Sequence, residues 1–114
     1  MGKCLFTDKI QGNLKEVWSN PNPQDPFRSG TINVPINDVM LIECCYSNTQ
    51  NDLRCTFLLN VDSAVFAIPN GSSFVKRSIT KLENGISFGE GFQYSGRFME
   101  NDDLYLIPYK IYTL

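Results

Sequence analysis

The sequence predicts an all-β protein, a single-domain and jelly-roll-like β-sandwich of about eight or nine short antiparallel strands. The first reason is that apolar and polar residues alternate in short stretches, most clearly at positions 53–61. The second is that prolines, glycines and Asn-Gly pairs separate these stretches. No stretch carries the 3.6-residue period of an amphipathic helix over two turns, so a helical or mixed fold is not expected.

The length and the apolar content of the chain suit one domain with a core. The chain has 114 residues, of which 42% are hydrophobic, including eight Phe, five Tyr and one Trp. We expect residues 13–114 to form the sandwich. Residues 1–12 show the least pattern, and we expect them to form an N-terminal arm or a first edge segment.

The first half of the chain is predicted to contain four strands. Strands are predicted at 14–19 and 31–35, and the prolines of 20–26 predict a surface loop between them that Phe27 anchors. Positions 39–46 are apolar except for Glu43, which predicts a central strand covered on both faces. In the fourth strand, one face is predicted to carry Leu53, Cys55, Phe57, Leu59 and Val61.

The next part of the chain is predicted to form hairpins. A strand at 64–68 is followed by a turn at 69–71, and a strand at 73–82 pairs through Asn84-Gly85 with 86–88. One face of 73–82 is predicted to carry Val75, Arg77, Ile79 and Lys81, and the other Phe74, Lys76, Ser78 and Thr80. The basic residues among these, Lys76, Arg77 and Lys81, are interpreted as a solvated strand face.

Glycines, an acidic stretch and a long apolar strand end the chain. The glycines at 89, 91 and 96 leave room for bulges or for close backbone approach, and residues 100–103 predict a turn. The last strand is predicted at 104–114, with Pro108 marking either an edge position or a bulge. One of its faces is predicted to carry Tyr105, Ile107, Tyr109 and Ile111.

Charge and hydropathy argue against two classes of partner. Ten basic and 12 acidic residues give a net charge of −2, whereas phosphate binding requires clustered Lys and Arg, so nucleic acid is not an expected partner. No apolar run reaches the roughly 20 residues of a membrane-spanning helix. The start of the chain also lacks the apolar run of a secretory signal, so no membrane partner is expected.

The four cysteines, at positions 4, 44, 45 and 55, are predicted to be reduced. Neighbouring residues of a strand point to opposite faces, so Cys44 and Cys45 cannot both reach one partner. Without a sign of secretion, thiols packed as small apolar residues are expected. A Cys44–Cys55 or Cys45–Cys55 bridge between neighbouring strands is the alternative.

The sequence lacks the residues of common catalytic sites. It has no histidine, which excludes Ser–His–Asp and Cys–His catalysis, and it has no zinc ligand set or phosphate-binding glycine loop. Glu43 is the most interesting carboxylate because it interrupts an apolar strand, but a solvated face or a pair with Arg54 explains it more simply. We therefore expect no catalysis, no cofactor and no metal.

Aromatic side chains are the remaining candidates for a binding site. The candidate ligand-binding residues are Trp18, Tyr94, Tyr105 and Tyr109. Their rings could stack on a sugar or pack in a subunit interface. Because many such residues lie half inside a small sandwich, only one or two of them are expected to bind.

Four segments resemble a known family. The segments are EVWSNPNPQDPF at 16–27, VMLIECCY at 39–46, NGISFGEGF at 84–92 and LYLIPYKIYTL at 104–114. Together they are similar to a small domain at the ends of tail, baseplate or neck-appendage proteins of phages and prophages of Gram-positive bacteria. The resemblance covers roughly residues 16–114, and the chain ends in Ile-Tyr-Thr-Leu where the family often has a glycine-containing ending.

This resemblance implies a non-catalytic virion module that acts by assembly or by binding a host receptor. It implies a homo-oligomer such as a trimer, contacts with other virion proteins and with host-surface glycan, and a location in the virion after synthesis in the bacterial cytoplasm. One alternative is a stand-alone carbohydrate-binding sandwich, which requires an exposed aromatic platform. The other is a small carboxylate-dependent glycoside hydrolase, which requires two acidic side chains in one cleft.

Overall fold

Nine antiparallel strands form two sheets in the computed structural model, which describes residues 14–114. The strands are β1 (Lys15–Ser19), β2 (Gly30–Asn33), β3 (Met40–Ser47), β4 (Arg54–Leu59), β5 (Ser63–Asn70), β6 (Ser73–Lys81), β7 (Gly85–Ser95), β8 (Phe98–Asn101) and β9 (Tyr105–Thr113). Within this described part there is no helix, and hence none long and apolar enough to cross a membrane. The predicted arm at 1–12 lies outside the described residues.

The two sheets confirm the predicted all-β sandwich. The first sheet has the order β1-β9-β3-β4, and the second has the order β2-β7-β6-β5, with β8 pairing β7 as well. Strand β1 pairs with the last strand, and β2 pairs with β7, so strands distant in the chain are neighbours as in a jelly roll. By contrast, β5 to β8 form a simple run of hairpins.

The core lies between the sheets, where most strands turn alternate apolar residues inward. Its buried members include Met40, Ile42, Cys44, Leu59, Leu106 and Ile111 from the first sheet and Phe66, Ile68, Val75, Ile79, Ile86 and Phe88 from the second. The Phe27 ring packs edge-on against Phe88, with their centres 5.8 Å apart. Phe27 therefore anchors the proline-rich loop, as the sequence predicts.

The predicted faces of the third and fourth strands are confirmed in part. Cys55 and Phe57 pack against the core and Leu59 is inside it, whereas Leu53 and Val61 lie beyond the ends of β4 and are exposed. On β3 the side chain of Glu43 is only half buried, so the strand is not fully covered on both faces. Glu43 pairs with Thr56 and Lys110, and Arg54 pairs with Cys45 instead, so the alternative of a pair between Glu43 and Arg54 is wrong.

The cysteines of the described part are reduced. Cys44, Cys45 and Cys55 are free, and Cys44 lies directly opposite Cys55 across the β3–β4 pair. Burial raises the pKa of the Cys44 thiol far above its ordinary value, and it raises the pKa of Cys45 and Cys55 as well. The thiols therefore stay protonated and pack as small apolar groups. Cys4 lies outside the described residues.

The predicted hairpin between 73–82 and 86–88 is confirmed, but the turn before it is shorter than predicted. Lys81 pairs with Ile86, and the pairing continues along β6 and β7 to Phe74 and Tyr94. The predicted turn at 69–71 is wrong in its first two residues, which belong to β5. The turn consists of Gly71 and Ser72 alone, because the positive φ of Gly71 (63°) lets two residues reverse the chain.

The interpretation of Arg77 as part of a solvated face is wrong. Arg77 is only 1% exposed, because the alternation of β6 turns it inward beside Val75 and Ile79. Its guanidinium donates hydrogen bonds to four main-chain carbonyl oxygens, those of Gly89 (2.7 Å), Leu106 (3.0 Å), Tyr105 (3.0 Å) and Arg28 (3.2 Å). A charged group can be buried here because the backbone supplies all of these acceptors.

A bulge in the last strand confirms one of the two alternatives predicted for Pro108, but the predicted face of this strand is wrong. β9 lies between β1 and β3, so Pro108 is not at an edge. Lys110 pairs with Glu43 and Pro108 with Cys44, which leaves Tyr109 as the extra residue. The alternation shifts there, so Leu106 and Ile111 reach the core while Tyr109 lies 4.2 Å beneath the Arg54 guanidinium.

The predicted turn at 100–103 is wrong in its first two residues, which belong to a strand. Residues Phe98–Asn101 form β8, and the turn follows it. A two-residue turn at Gly96 (φ 62°) and Arg97 reverses the chain directly after β7. All four side chains of β8 are exposed, so the strand has no buried face and lacks the pattern by which a strand is recognised.

Candidate functional site

The structure does not bring the four candidate aromatic residues together. Trp18 lies on β1 and packs against the core, and Tyr105 packs against the core and edge-on against Tyr46, with ring centres 5.5 Å apart. Tyr109 lies on the first sheet beneath Arg54. Tyr94 lies on the outer face of the second sheet, between the exposed residues Phe74 and Met99.

Tyr94 belongs to a row of apolar side chains that crosses four strands of the second sheet. The residues Pro69, Phe74, Tyr94 and Met99 are paired in succession across β5, β6, β7 and β8. We call these four residues the aromatic row. Three strand spacings of about 4.8 Å make the row about 14 Å long.

Two short turns place these residues in line. The Gly71-Ser72 turn pairs Asn70 with Ser73, which sets Pro69 opposite Phe74. The Gly96-Arg97 turn pairs Ser95 with Phe98, which sets Tyr94 opposite Met99. A register shift between Arg77 and Ile79 in the β6–β7 pair sets Phe74 opposite Tyr94. Because directly paired residues lie on the same face of a sheet, these three pairings form the row.

The aromatic row is open to solvent. Phe74 is 43% exposed and Met99 is 54% exposed, while Tyr94 is half buried. The Phe74 and Tyr94 rings are stacked, with centres 4.9 Å apart and planes within 8° of each other. This separation is that of an offset stack, so each ring keeps part of its surface free.

A cation adjoins the aromatic row. Lys76 lies on the same face one pair further along β6, and its Nζ is 4.8 Å from the centre of the Tyr94 ring. The salt bridges among residues 14–114 are Arg28–Glu90 and Lys110–Glu16, so Lys76 takes part in neither. The ammonium of Lys76 therefore has donors to offer to a ligand that lies on the rings.

Glu43 lines a shallow cleft on the opposite sheet. The cleft has a volume of about 390 Å³ and is lined by Leu14, Leu41, Glu43, Thr56 and Tyr112. The pKa of Tyr112 is raised, first by burial and then by the negative charge of Glu43. Among the described residues, Glu43 is the carboxylate that lines this cleft, and Glu16 pairs with the lining residue Tyr112 on the neighbouring strand.

A second open cleft holds two carboxylates. It has a volume of about 400 Å³ and is lined by Ile36, Asn37, Asp38, Asp62, Lys81 and Leu82. Asp38 and Asp62 are both exposed, and Lys81 Nζ donates a 2.7 Å hydrogen bond to the main-chain oxygen of Asp38. The cleft therefore has the two acidic side chains that the hydrolase alternative requires, and both of them are open to solvent.

Among residues 14–114, no group of three or more Cys, Asp or Glu side chains is placed to hold a metal ion. Comparison with known proteins adds no relative: no family model, curated protein or solved structure matches this chain. Only geometry therefore indicates that the aromatic row is a binding site.

Sequence reasoning identified only one member of the aromatic row. Phe74 and Lys76 were correctly predicted to share a face, but nothing in the pattern of β6 showed that this face joins Tyr94. The lengths of the two short turns could have indicated the Pro69–Phe74 and Tyr94–Met99 pairs, but the Phe74–Tyr94 pair depends on a register shift between Arg77 and Ile79 that no turn length shows. Met99 was missed because the strand that carries it was not recognised.

Proposed function

We propose that this chain is a non-catalytic binding module of a phage or prophage virion, and that it attaches to host-surface glycan through the aromatic row. The virion location follows from the family resemblance of residues 16–114. The observation that supports the binding role is the exposed stack of Phe74 and Tyr94 in line with Pro69 and Met99. Large apolar side chains that remain exposed in a row are typical of an interaction surface.

The mixture of groups on this face favours glycan over a purely apolar ligand. Sugar rings present C–H faces that pack on aromatic rings, and they carry hydroxyl groups at their edges that need hydrogen-bond partners. The row offers the rings of Phe74 and Tyr94, and its rim offers the Lys76 ammonium and the Tyr94 hydroxyl. A length of about 14 Å, from three strand spacings, suits an extended chain of sugars.

The same surface would serve the alternative of a stand-alone carbohydrate-binding module. The two readings differ in where the chain is found and not in how it binds. Mass spectrometry of purified virions from the phage or prophage that encodes the chain should detect it. Glycan binding by a chain that is absent from those virions would favour the stand-alone module.

Tyr94→Ala and Phe74→Ala should each weaken glycan binding about tenfold or more, because each removes a central anchor of the row. Calorimetric titration with soluble cell-wall polysaccharides of Gram-positive bacteria, and with a neutral glucan for comparison, measures the effect. Trp18→Ala is unsuitable as a test because Trp18 packs against the core and its loss would destabilise the fold.

Phe98→Ala is the matched control for this experiment. Phe98 lies on the same hairpin and is 79% exposed, but it pairs with Ser95 and is not a member of the row. Its removal deletes a similar apolar area and should leave glycan affinity unchanged. Equal losses in all three variants, or no loss in any, would contradict a role for the aromatic row.

A further inference from the structure

We propose that β8 pairs edge to edge with β8 of a second copy of this chain, antiparallel and about a two-fold axis at Met99. The first observation is that β8 is a strand with an open edge. Its four residues are all exposed, with Met99 at 54%, and within residues 14–114 it pairs only with β7. Open edges with large apolar side chains favour pairing with another strand.

The backbone of β8 has hydrogen-bonding groups directed at that open edge. Asp102 N–H donates to Gly91 O at 2.8 Å, and hydrogen-bonded and non-hydrogen-bonded pairs alternate along an antiparallel ladder. Counting from this bond, Tyr94–Met99 is a non-hydrogen-bonded pair. The N–H and C=O groups of Met99, and likewise those of Asn101, therefore point away from β7.

The charges at the two ends of β8 favour a second copy as the partner. Arg97 precedes the strand, and Asp102 and Asp103 follow it. When two such strands lie antiparallel, the basic end of each comes beside the acidic end of the other. The edge is therefore complementary to itself at both ends, which is what a two-fold contact requires.

The apolar outer face selects the register. If the outer faces of the two sheets are to be continuous, the residue on the two-fold axis must pair with itself, and the candidates near the strand centre are Met99 and Glu100. With Glu100 on the axis, two like charges would lie directly opposite each other, which is unfavourable. With Met99 on the axis, two apolar side chains meet, and each Met99 exchanges both main-chain hydrogen bonds with its counterpart.

This register joins the two aromatic rows end to end. The joined row runs Pro69, Phe74, Tyr94, Met99 and then the same residues of the second copy in reverse order. Seven strand spacings of about 4.8 Å give it a length of about 34 Å. The role of this longer platform in glycan binding rests on the proposed function, whereas the dimer itself does not.

Light scattering on a sizing column, from micromolar to millimolar concentration, tests the dimer. The expected mass is twice the 12.9 kDa of one chain, and Met99→Lys should give a monomer because it places two ammonium groups on the axis. Phe74→Lys, which alters the row away from the edge, should stay dimeric. A monomer at every concentration, or a trimer, would overturn the two-fold pairing.

Cysteine cross-linking tests the register. In the proposed pair the two Cα atoms at position 99 are about 5.5 Å apart, which suits a disulfide, so Met99→Cys should form a covalent dimer under mild oxidation. Glu100→Cys should not, and the parent chain controls for the native thiols. Cross-linking of Glu100→Cys alone would overturn the register at Met99. A monomer or a trimer could still bind glycan. A failure of the two-fold pairing and a failure of the proposed function therefore give different results.

Discussion

At the scale of single residues, Arg77 joins parts of the molecule that are far apart in the chain. Its guanidinium holds carbonyl groups from the segment before β2, from β7 and from the start of β9. One of these belongs to Leu106, whose φ of 51° is unfavourable for a residue with a side chain. Burial lowers the pKa of Arg77, but an arginine stays charged, and the nearby Asp102 and Asp103 oppose the shift.

Arg77→Met should lower the free energy of unfolding by about 3–5 kcal/mol, because buried carbonyl groups lose their donors. Arg77→Lys should be intermediate, since an ammonium keeps the charge but cannot match the planar fork of a guanidinium. Urea unfolding followed by circular dichroism measures both variants. Lys76→Met on the outer face is the control and should change stability by no more than about 0.5 kcal/mol. A similar loss in Lys76→Met would show that the buried hydrogen bonds of Arg77 are not the cause of the lost stability.

At the scale of elements, the two shortest turns determine how the strands that they join are aligned. The turns at Gly71 and Gly96 determine the register of β5–β6 and β7–β8, and through it the alignment of the aromatic row. Both glycines have positive φ, and an added Cβ would meet nothing within 4 Å at either position. A side chain would therefore be disfavoured by backbone conformation alone.

Gly71→Ala should lower the free energy of unfolding by about 1 kcal/mol, because alanine is strained in the left-handed region. Gly30→Ala is the matched control: its added Cβ would lie 3.9 Å from Phe27 Cζ, an ordinary contact, and no positive φ is involved. Thermal unfolding should therefore show a lower Tm for Gly71→Ala than for Gly30→Ala. Equal Tm values would mean that the two-residue turn carries no strain.

At the scale of the whole molecule, the packing of the two sheets couples stability to pH. The core holds the Cys44 thiol in its protonated form, and burial also raises the pKa of Cys45, Cys55 and Tyr112. In the unfolded chain these groups ionise at their ordinary values, near 9.0 for the thiols. Above that pH the unfolded state binds fewer protons than the folded state, so stability must fall as pH rises.

The free energy of unfolding should therefore decrease above about pH 9, with Cys44 contributing about 1.4 kcal/mol per pH unit. Urea titrations at a series of pH values, with reductant present, measure the slope. Cys44→Ala should be less stable at neutral pH but show a shallower alkaline decrease. An unchanged slope in that variant would mean that other groups cause the pH dependence.

The sequence by itself determined the all-β class, the alternating faces of β4 and β6 and the β6–β7 hairpin. The class and the faces follow from a period of two, which is a local property of the chain. The Asn84-Gly85 pair marked the position of the hairpin, but Gly85 lies in β7 without the positive φ of an Asn-Gly turn. It also indicated Tyr94 as a candidate, but only as one aromatic residue among several. The charge of Arg77 led to the wrong prediction of a solvated position, because local sequence does not show that four carbonyl groups converge on an inward position.

Only the tertiary structure decided which residues stand side by side. The bulge at Tyr109 depends on how β9 fits against β3, and the position of β9 between two strands depends on the packing of chain ends that are distant in sequence. β8 has no buried face to reveal it, and the aromatic row exists only because three strand pairings align four residues. Register between strands is a long-range property, and a pattern read along one strand cannot contain it.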